Sequence, residues 1–166
     1  MEKGITVDQI HLASRLLHER KIRVGFFLQF GYTGETRDDI EKTFQMVKEC
    51  SPDEIGVSVS YPLPGTKFYE DVKMQMETKH NWYDSQDLDM MFQGTYSADY
   101  YRILHKIIHK QFRIWNGLEL LASPRRWSSR VPRALAAAAY HAITLPRFRK
   151  ELSMLERVPP RNRHTE

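Results

Sequence analysis

The sequence predicts an α/β protein, because helical and strand-like segments alternate along its first half. Residues 22–30 form an apolar run that a glycine-containing turn follows, and residues 55–61 form a second run that ends at prolines. Segments with helical periodicity precede, separate and follow the two runs. This alternation favours parallel strands joined by helices, with both turns at the carboxyl ends of their strands.

Helix-start signals mark two of these helices. Thr6 and Gln9 have the spacing of a capping box, so we expect a helix over residues 7–20. Thr36, with two acidic residues in the turn that follows it, predicts a second helix, which ends near Cys50. Acidic side chains are favourable in a first turn because of the helix dipole.

The two apolar runs are predicted to be strands. Residues 22–30 resemble a strand that is buried on both faces, as in a parallel sheet, whereas residues 55–61 alternate apolar with small side chains. A short helix is expected over residues 67–76. Two such strands need neighbours, and the sequence offers no further convincing strand. Either a partner supplies the rest of the sheet, or the chain is a piece of a larger protein.

The second half of the chain is predicted to be helical. We expect a long helix from Ser97 towards Leu121, an Ala-rich helix over residues 133–145 and a short helix over residues 147–155. The last residues, 158–166, have the composition of a disordered tail. We therefore divide the chain into a barrel-like part (1–76), a helical extension (77–123) and a basic linker with an Ala-rich helix and a tail (124–166).

Charge and cysteine content narrow the functional classes. Residues 1–101 carry 11 Lys and Arg against 17 Asp and Glu, whereas residues 102–166 carry 14 against 4. This asymmetry suggests two regions with different roles, or an acidic body held by a basic carboxyl-terminal segment. The single cysteine excludes an internal disulfide framework. With no signal-peptide pattern and no apolar run long enough to span a membrane, we expect a cytoplasmic protein.

Three motifs in order resemble one known family. They are Lys3-Gly4-Ile5-Thr6, the run from Gly31 to Ile40 (GYTGETRDDI), and Tyr61-Pro62-Leu63-Pro64-Gly65-Thr66. This series resembles the second half of the radical S-adenosylmethionine barrel, most closely the branch with a cobalamin-binding domain ahead of that barrel. Residues 1–76 carry most of the resemblance, and residues 77–116 are similar to the helical extension of that branch. Thr33 stands where the family usually has proline.

The resemblance implies an iron–sulfur enzyme of which this chain would be one part. The intact enzyme would bind a four-iron cluster, S-adenosylmethionine and, in this branch, cobalamin, for methyl transfer or related radical carbon chemistry. The cluster needs three closely spaced thiolates, and this sequence has one cysteine. We therefore expect no metal ligands and no catalytic residues in this chain, and a missing amino-terminal barrel half or a partner chain that completes it.

The resemblance also implies which residues would line part of the S-adenosylmethionine pocket. They are Gln29, Gly31, Gly34, Glu35, Tyr61, Pro62, Pro64, Gly65 and Thr66. Each has an ordinary structural alternative: a turn that needs positive φ, an acidic residue at a helix start, a rigid strand exit, or, for Thr66, a helix N-cap. Gln29 lies either in the barrel lumen or at a solvent-facing edge.

Other candidate residues favour structural roles. His105 and His109 have the spacing of metal ligands on a helix, but no third ligand is evident, and packing of the helix is the stronger interpretation. The basic segment 125–133 could bind phosphate groups or associate weakly with a membrane surface, although a solvated linker is commoner; we expect no nucleic-acid partner. The alternative function is a non-catalytic interaction module that pairs with another chain through its strands and basic helices.

Overall fold

A two-stranded parallel sheet with helices forms the described part of the chain, which confirms the α/β class. The structure is a computed structural model and describes residues 4–76, 91–122 and 131–157. The elements are α1 (Val7–Glu19), β1 (Gly25–Phe30), α2 (Arg37–Cys50), β2 (Glu54–Val59), α3 (Lys67–Val72), a 3₁₀ turn (Lys73–Gln75), α4 (Ala98–Ala122) and α5 (Val131–Leu155). The third helix is therefore shorter than the predicted span of residues 67–76.

The first two helices begin at capping boxes, as the sequence predicts. The Thr6 side chain accepts from the Gln9 N–H, and the Thr6 N–H donates to Gln9 Oε1 at 2.8 Å. At the start of α2, the Thr36 N–H donates to Asp39 Oδ2 at 2.9 Å, and the Thr36 hydroxyl accepts from the Asp39 N–H. Each box satisfies backbone donors that a helix start leaves without a partner.

The strands pair in parallel, with Phe27 opposite Gly56 and Gln29 opposite Ser58. The first strand begins at Gly25, so the predicted start at residue 22 was wrong. The reason lies in the preceding turn, where Lys21 has φ +60° and the Ile22 N–H donates to the Leu17 carbonyl at 3.0 Å. These bonds close the end of α1 and hold Ile22 outside the sheet.

The helices cover one face of the sheet. Leu28 and Phe30 of β1 are buried against them, whereas Phe27 is 95% exposed and Gln29 is exposed on the opposite face. The prediction that β1 is buried on both faces is therefore wrong for the described residues. Successive side chains of a strand point to opposite faces, and nothing in the described part of the chain covers the second face.

The main core unites the sheet with α2 and α4. Its buried members are Leu28, Phe30, Ile40, Phe44, Val47, Val59, Tyr100, Tyr101, Ile103, Leu104, Ile107 and Ile108. Leu145, Phe148, Leu152 and Leu155 of α5 pack against this cluster as partly buried side chains. The helical extension therefore shares a core with the strands rather than forming a separate one.

One continuous helix, α5, replaces the two short helices predicted over residues 133–155. The prediction divided it because a proline inside a helix removes a hydrogen bond and clashes with the preceding turn. Pro146 lies inside α5 and is exposed. On either side of it, Leu145 and Phe148 pack against the core, and Lys110 Nζ of α4 donates to Thr144 Oγ1 at 2.8 Å. Packing on α4 thus keeps α5 continuous on both sides of Pro146.

Several predictions lie outside the described residues. They concern the aperiodic stretch before residue 91, the basic linker at residues 124–130 and the tail at residues 158–166. Within the residues that the structure does describe, no helix combines the length and apolar character that crossing a bilayer requires.

Candidate functional site

Three glycines mark the two turns at the carboxyl edge of the sheet. Gly31 and Gly34, in the turn after β1, have φ +80° and +81°, and Gly65, in the loop after β2, has φ +83°. Side-chain-bearing residues rarely adopt this conformation. Because the strands are parallel, both turns lie at the same edge, which is where α/β proteins bind ligands. A Cβ atom at Gly34 or Gly65 would meet open space, so backbone conformation, not crowding, favours glycine there.

Glu35 closes the turn after β1. Its Oε2 accepts the Gly31 N–H at 2.9 Å, and its own N–H donates to the Tyr32 carbonyl at 2.9 Å. The two bonds fix the turn before α2 begins. Glu35 therefore acts within the turn itself, and its carboxylate is not the freely solvated helix-start acid that the sequence left as an alternative.

Burial raises the pKa of the Glu35 carboxyl above its usual value. Hydrogen bonding from Gly31 and the influence of the Tyr101 hydroxyl act in the opposite direction, and the nearby charge of Asp39 raises the pKa further. The loss of hydration outweighs the donors because a charged carboxylate is costly to remove from water. Perturbed carboxyl groups of this kind are commoner in functional sites than on ordinary surfaces.

Two buried hydroxyls near this edge have no hydrogen-bond partner among the described residues. They belong to Ser60, which directly follows β2, and to Tyr101 of α4, and each residue is 2% exposed. Burial, and then the negative charge of Glu35, raise the pKa of Tyr101. A buried hydroxyl without a partner is unfavourable. A ligand or a water molecule that forms a hydrogen bond with either hydroxyl would therefore be stabilising.

The sequence did not predict the participation of Ser60 and Tyr101. Ser60 stands in the predicted second strand, and Tyr101 stands in the helix predicted from Ser97 towards Leu121, where an aromatic residue indicates core packing. One signal could have identified them: each carries a hydroxyl group at a position that the sequence predicts to be buried.

The loop after β2 is rigid and uses its polar groups internally. Pro62 is buried, Pro64 is exposed and Tyr61 is half-buried. The Thr66 hydroxyl donates to the Leu63 carbonyl at 2.7 Å and accepts from the Tyr69 N–H at 3.2 Å as the N-cap of α3. Thr66 therefore shapes the loop and starts the helix, which leaves its hydroxyl no donor for a ligand.

Aromatic contacts bring the turn and the loop together. The rings of Tyr32 and Phe68 are 4.7 Å apart between centroids, and Phe68 makes an edge contact with Phe92 at 5.1 Å. Tyr32 and Tyr61 both pack against this second cluster, whose buried members are Phe68, Val72, Met76, Met91 and Phe92. The structure thus assembles the two predicted ligand segments around one apolar support.

Gln29 lies on the uncovered face of the sheet. It is exposed and stands opposite Ser58 in the register, two residues along the strand from Phe27. In a closed barrel the face away from the helices is the lumen. The position of Gln29 is therefore that of a lumen residue if neighbouring strands complete the sheet.

The single cysteine lies at the end of α2 that is opposite these turns. Cys50 is the last residue of α2, which runs from the carboxyl edge of the sheet back to its amino edge. Its Sγ is 3.4 Å from His11 Nδ1, and His11 Nε2 is 3.4 Å from Glu49 Oε2. Burial raises the pKa of the Cys50 thiol, which favours an unreactive thiol over a thiolate.

His105 and His109 are neighbours on α4, with ring centroids 4.5 Å apart. Both are half-buried, and burial lowers the pKa of each imidazole, as do nearby positive side chains. In the described ranges, no three His, Cys, Asp or Glu side chains are grouped so as to hold a metal ion.

Comparison with known proteins adds no family assignment. No family model matches the chain, and no curated protein matches it.

Proposed function

We propose that the chain is the carboxyl-terminal part of a radical S-adenosylmethionine-type barrel and supplies one wall of the S-adenosylmethionine pocket. The observation that carries the proposal is the shared edge of the sheet, where Gly31, Gly34 and Gly65 all adopt positive φ in segments whose sequence resembles that family. Backbone without side chains at such an edge lets a ligand approach closely.

The uncovered sheet face supports the same proposal. A (β/α) barrel has helices outside and side chains of the strands inside, and this chain has helices on one face and an open face that carries Phe27 and Gln29. Each described strand is paired on one side only. Further parallel strands, from the missing barrel half or from a partner chain, would pair with the free edges and turn the open face into a lumen.

The residues at the turns are suited to binding and orienting a ligand. The Glu35–Gly31 bond stiffens the turn after β1, and Pro62 fixes the exit of β2. The buried hydroxyl of Ser60, which has no partner among the described residues, directly precedes Tyr61 of the loop after β2. In the family, a reduced cluster cleaves S-adenosylmethionine, which supplies the radical. This chain would hold one side of the S-adenosylmethionine molecule in place.

The chain does not fit the four-iron cluster itself. That cluster needs three thiolates, and Cys50 is the single cysteine of the sequence. Cys50 also ends α2, at the edge of the sheet opposite the glycine turns. Any cluster must therefore come from the other part of the barrel, and no cobalamin ligand is assigned to this chain.

Binding to the isolated chain tests the proposal. Titration with S-adenosylmethionine, followed by amide NMR, should shift the signals of Gly31, Gly34 and Gly65 at millimolar ligand, since a partial site binds weakly. Glu35→Gln should weaken the response. The amide oxygen can still accept from the Gly31 N–H, so the variant keeps the turn and removes only the negative charge of the carboxylate. Glu41→Gln, on the exposed side of α2, is the matched control.

Two results would contradict the proposal. One is the absence of any shift at the three glycines up to the solubility limit of the ligand. The other is a stoichiometric iron–sulfur absorbance after anaerobic reconstitution of this chain with iron and sulfide, because the chain lacks the thiolates for it.

A non-catalytic interaction module is the second candidate. The nearly full exposure of Phe27 (95%) and Met74 (90%) favours a partner that covers them. Size-exclusion chromatography with light scattering, at rising protein concentration, should then show self-association or poor recovery. A monomer with a cooperative melt and no ligand response would leave neither function supported.

A further inference from the structure

One line of α5 faces away from the other described elements. Leu145, Phe148 and Leu152 pack against the core, so residues on the opposite side of the helix face solvent. At alternating spacings of three and four residues, that side presents Arg133, Ala136, Tyr140, Ile143, Arg147, Lys150 and Met154, all of them exposed. We call these seven residues the outer stripe. From Arg133 to Met154 it is about 32 Å long at 1.5 Å per residue.

The outer stripe contains large apolar side chains that contacts among the described residues leave exposed. Ile143 is 79% exposed and Met154 is 55% exposed, and Tyr140 is 60% exposed although the centre of its ring lies 5.2 Å from Lys110 Nζ of α4. A single exposed apolar side chain is normal for a protein surface. Three on one line of one helix form an apolar strip that water covers unless a partner does.

The charge of the outer stripe has a single sign. Arg133, Arg147 and Lys150 are its charged members, and Arg149 lies on a neighbouring exposed position. The acidic residue within α5, Glu151, is half-buried, and Glu156, just after the helix, pairs with Arg37 at 3.0 Å. The surface therefore complements a negatively charged partner.

We propose that the outer stripe binds the surface of an anionic lipid bilayer. Lys and Arg side chains reach lipid phosphates while their apolar stems lie along the acyl boundary, and basic residues near an anionic leaflet are attracted to it. Tyr140, with an apolar ring and a polar hydroxyl, suits the headgroup region. Ile143 and Met154 favour a lipid over a nucleic acid, because a phosphate backbone offers no apolar phase for them.

Vesicle binding by the full chain tests the inference. The chain should sediment with vesicles of phosphatidylcholine and phosphatidylglycerol, and much less with phosphatidylcholine alone. Arg147→Gln with Lys150→Gln should lower the partition coefficient about 25-fold, at about fivefold for each basic residue near the surface. High salt should reduce binding by the wild type, since exposed charges are screened.

Matched variants separate this site from net charge and from folding. Arg15→Gln with Lys48→Gln removes the same charge from exposed positions on α1 and α2 and should leave binding within about twofold. Ile143→Ser should lower binding several-fold with no loss of melting temperature, because Ile143 contacts solvent rather than the core. The far-ultraviolet circular dichroism of every variant should match that of the wild type.

Three results would overturn the inference. They are no sedimentation with anionic vesicles, equal losses of vesicle binding for the two charge-matched double variants, and vesicle binding by Ile143→Ser equal to that of the wild type. The outcome does not depend on S-adenosylmethionine binding, so failure of the proposed function leaves this test intact.

Discussion

The Arg37 guanidinium donates a hydrogen bond to the Glu156 carboxylate at 3.0 Å. Arg37 is the first residue of α2, beside the turn that Glu35 closes, and Glu156 directly follows α5. The Arg37 side chain is 62% exposed and the Glu156 side chain 26% exposed. The carboxyl end of α5 therefore reaches the carboxyl edge of the sheet, next to the candidate site.

A double-mutant cycle should measure this contact. Arg37→Gln and Glu156→Gln should each lower the free energy of unfolding slightly, with a coupling energy of about 0.5 kcal/mol that decreases in high salt. The exposed Arg15–Glu19 pair, at 3.9 Å, is the control and should show less coupling. A coupling energy of zero in urea titrations would mean that the ion pair does not hold α5 in place.

The pH dependence of stability should reveal the perturbed Glu35. Its pKa is raised in the folded state from the usual value of 4.5, so the folded protein binds this proton more tightly than the unfolded chain. The resulting stabilisation is fully present below pH 4.5 and is lost as the pH rises through the raised pKa. The difference in free energy of unfolding between wild type and Glu35→Gln should therefore fall as the pH rises.

Asp39 supplies a control of opposite sign for that experiment. Hydrogen bonds with Thr36 lower the pKa of Asp39 from 3.8, so its contribution is present above that value and is lost as the pH falls through the lowered pKa. The difference between wild type and Asp39→Asn should rise with pH. If both differences had the same trend, the assignment of the Glu35 shift to burial would be wrong.

Removal of the Tyr101 hydroxyl should stabilise the chain in the absence of ligand. The hydroxyl is buried and has no partner in the described structure, and such groups cost about 1–3 kcal/mol. Tyr101→Phe should therefore raise the free energy of unfolding by about 1 kcal/mol in urea titrations. Tyr101→Ala, which leaves a cavity, should lower stability by about 3–5 kcal/mol.

A loss of stability in Tyr101→Phe would contradict the prediction. It would mean that the hydroxyl has a partner in solution, such as a water molecule.

Close packing of α4 on α5 should be measurable as a coupling energy between substitutions at Gly117 and Ala138. A Cβ atom at Gly117 would lie 2.5 Å from the Ala138 Cβ atom. Gly117→Ala should therefore destabilise, although alanine is the better helix former by about 1 kcal/mol. Ala138→Gly in the same chain should remove the clash and give a favourable coupling energy of about 1–3 kcal/mol in thermal or urea unfolding. Additive effects would mean that the helices are farther apart.

Local patterns predicted the strand–turn–helix unit well. The capping boxes at Thr6 and Thr36 and the apolar content of β1 are encoded within a few residues, so periodicity and turn chemistry identify them. The division of residues 133–155 into two helices was wrong because it relied on the local effect of Pro146 alone. Its local effect favours a break, but contacts of Leu145 and Phe148 with a distant helix outweigh that effect.

The parts of the candidate site that join distant segments could not be predicted. Tyr101 and Glu35 are 66 positions apart, and no periodicity within α4 distinguishes a tyrosine that meets a carboxylate from one that fills the core. The same holds for the pairing of Arg37 with Glu156. Such contacts depend on how whole helices pack, which short-range sequence patterns do not encode.

The uncovered face of the described sheet has a consequence for how the isolated chain behaves. Backbone donors and acceptors along the free edges of β1 and β2, together with the bare ring of Phe27, can pair with any extended chain they meet. Binding of such a chain to the folded state adds to its stability by mass action. The melting temperature of the isolated chain is thus expected to change with its own concentration.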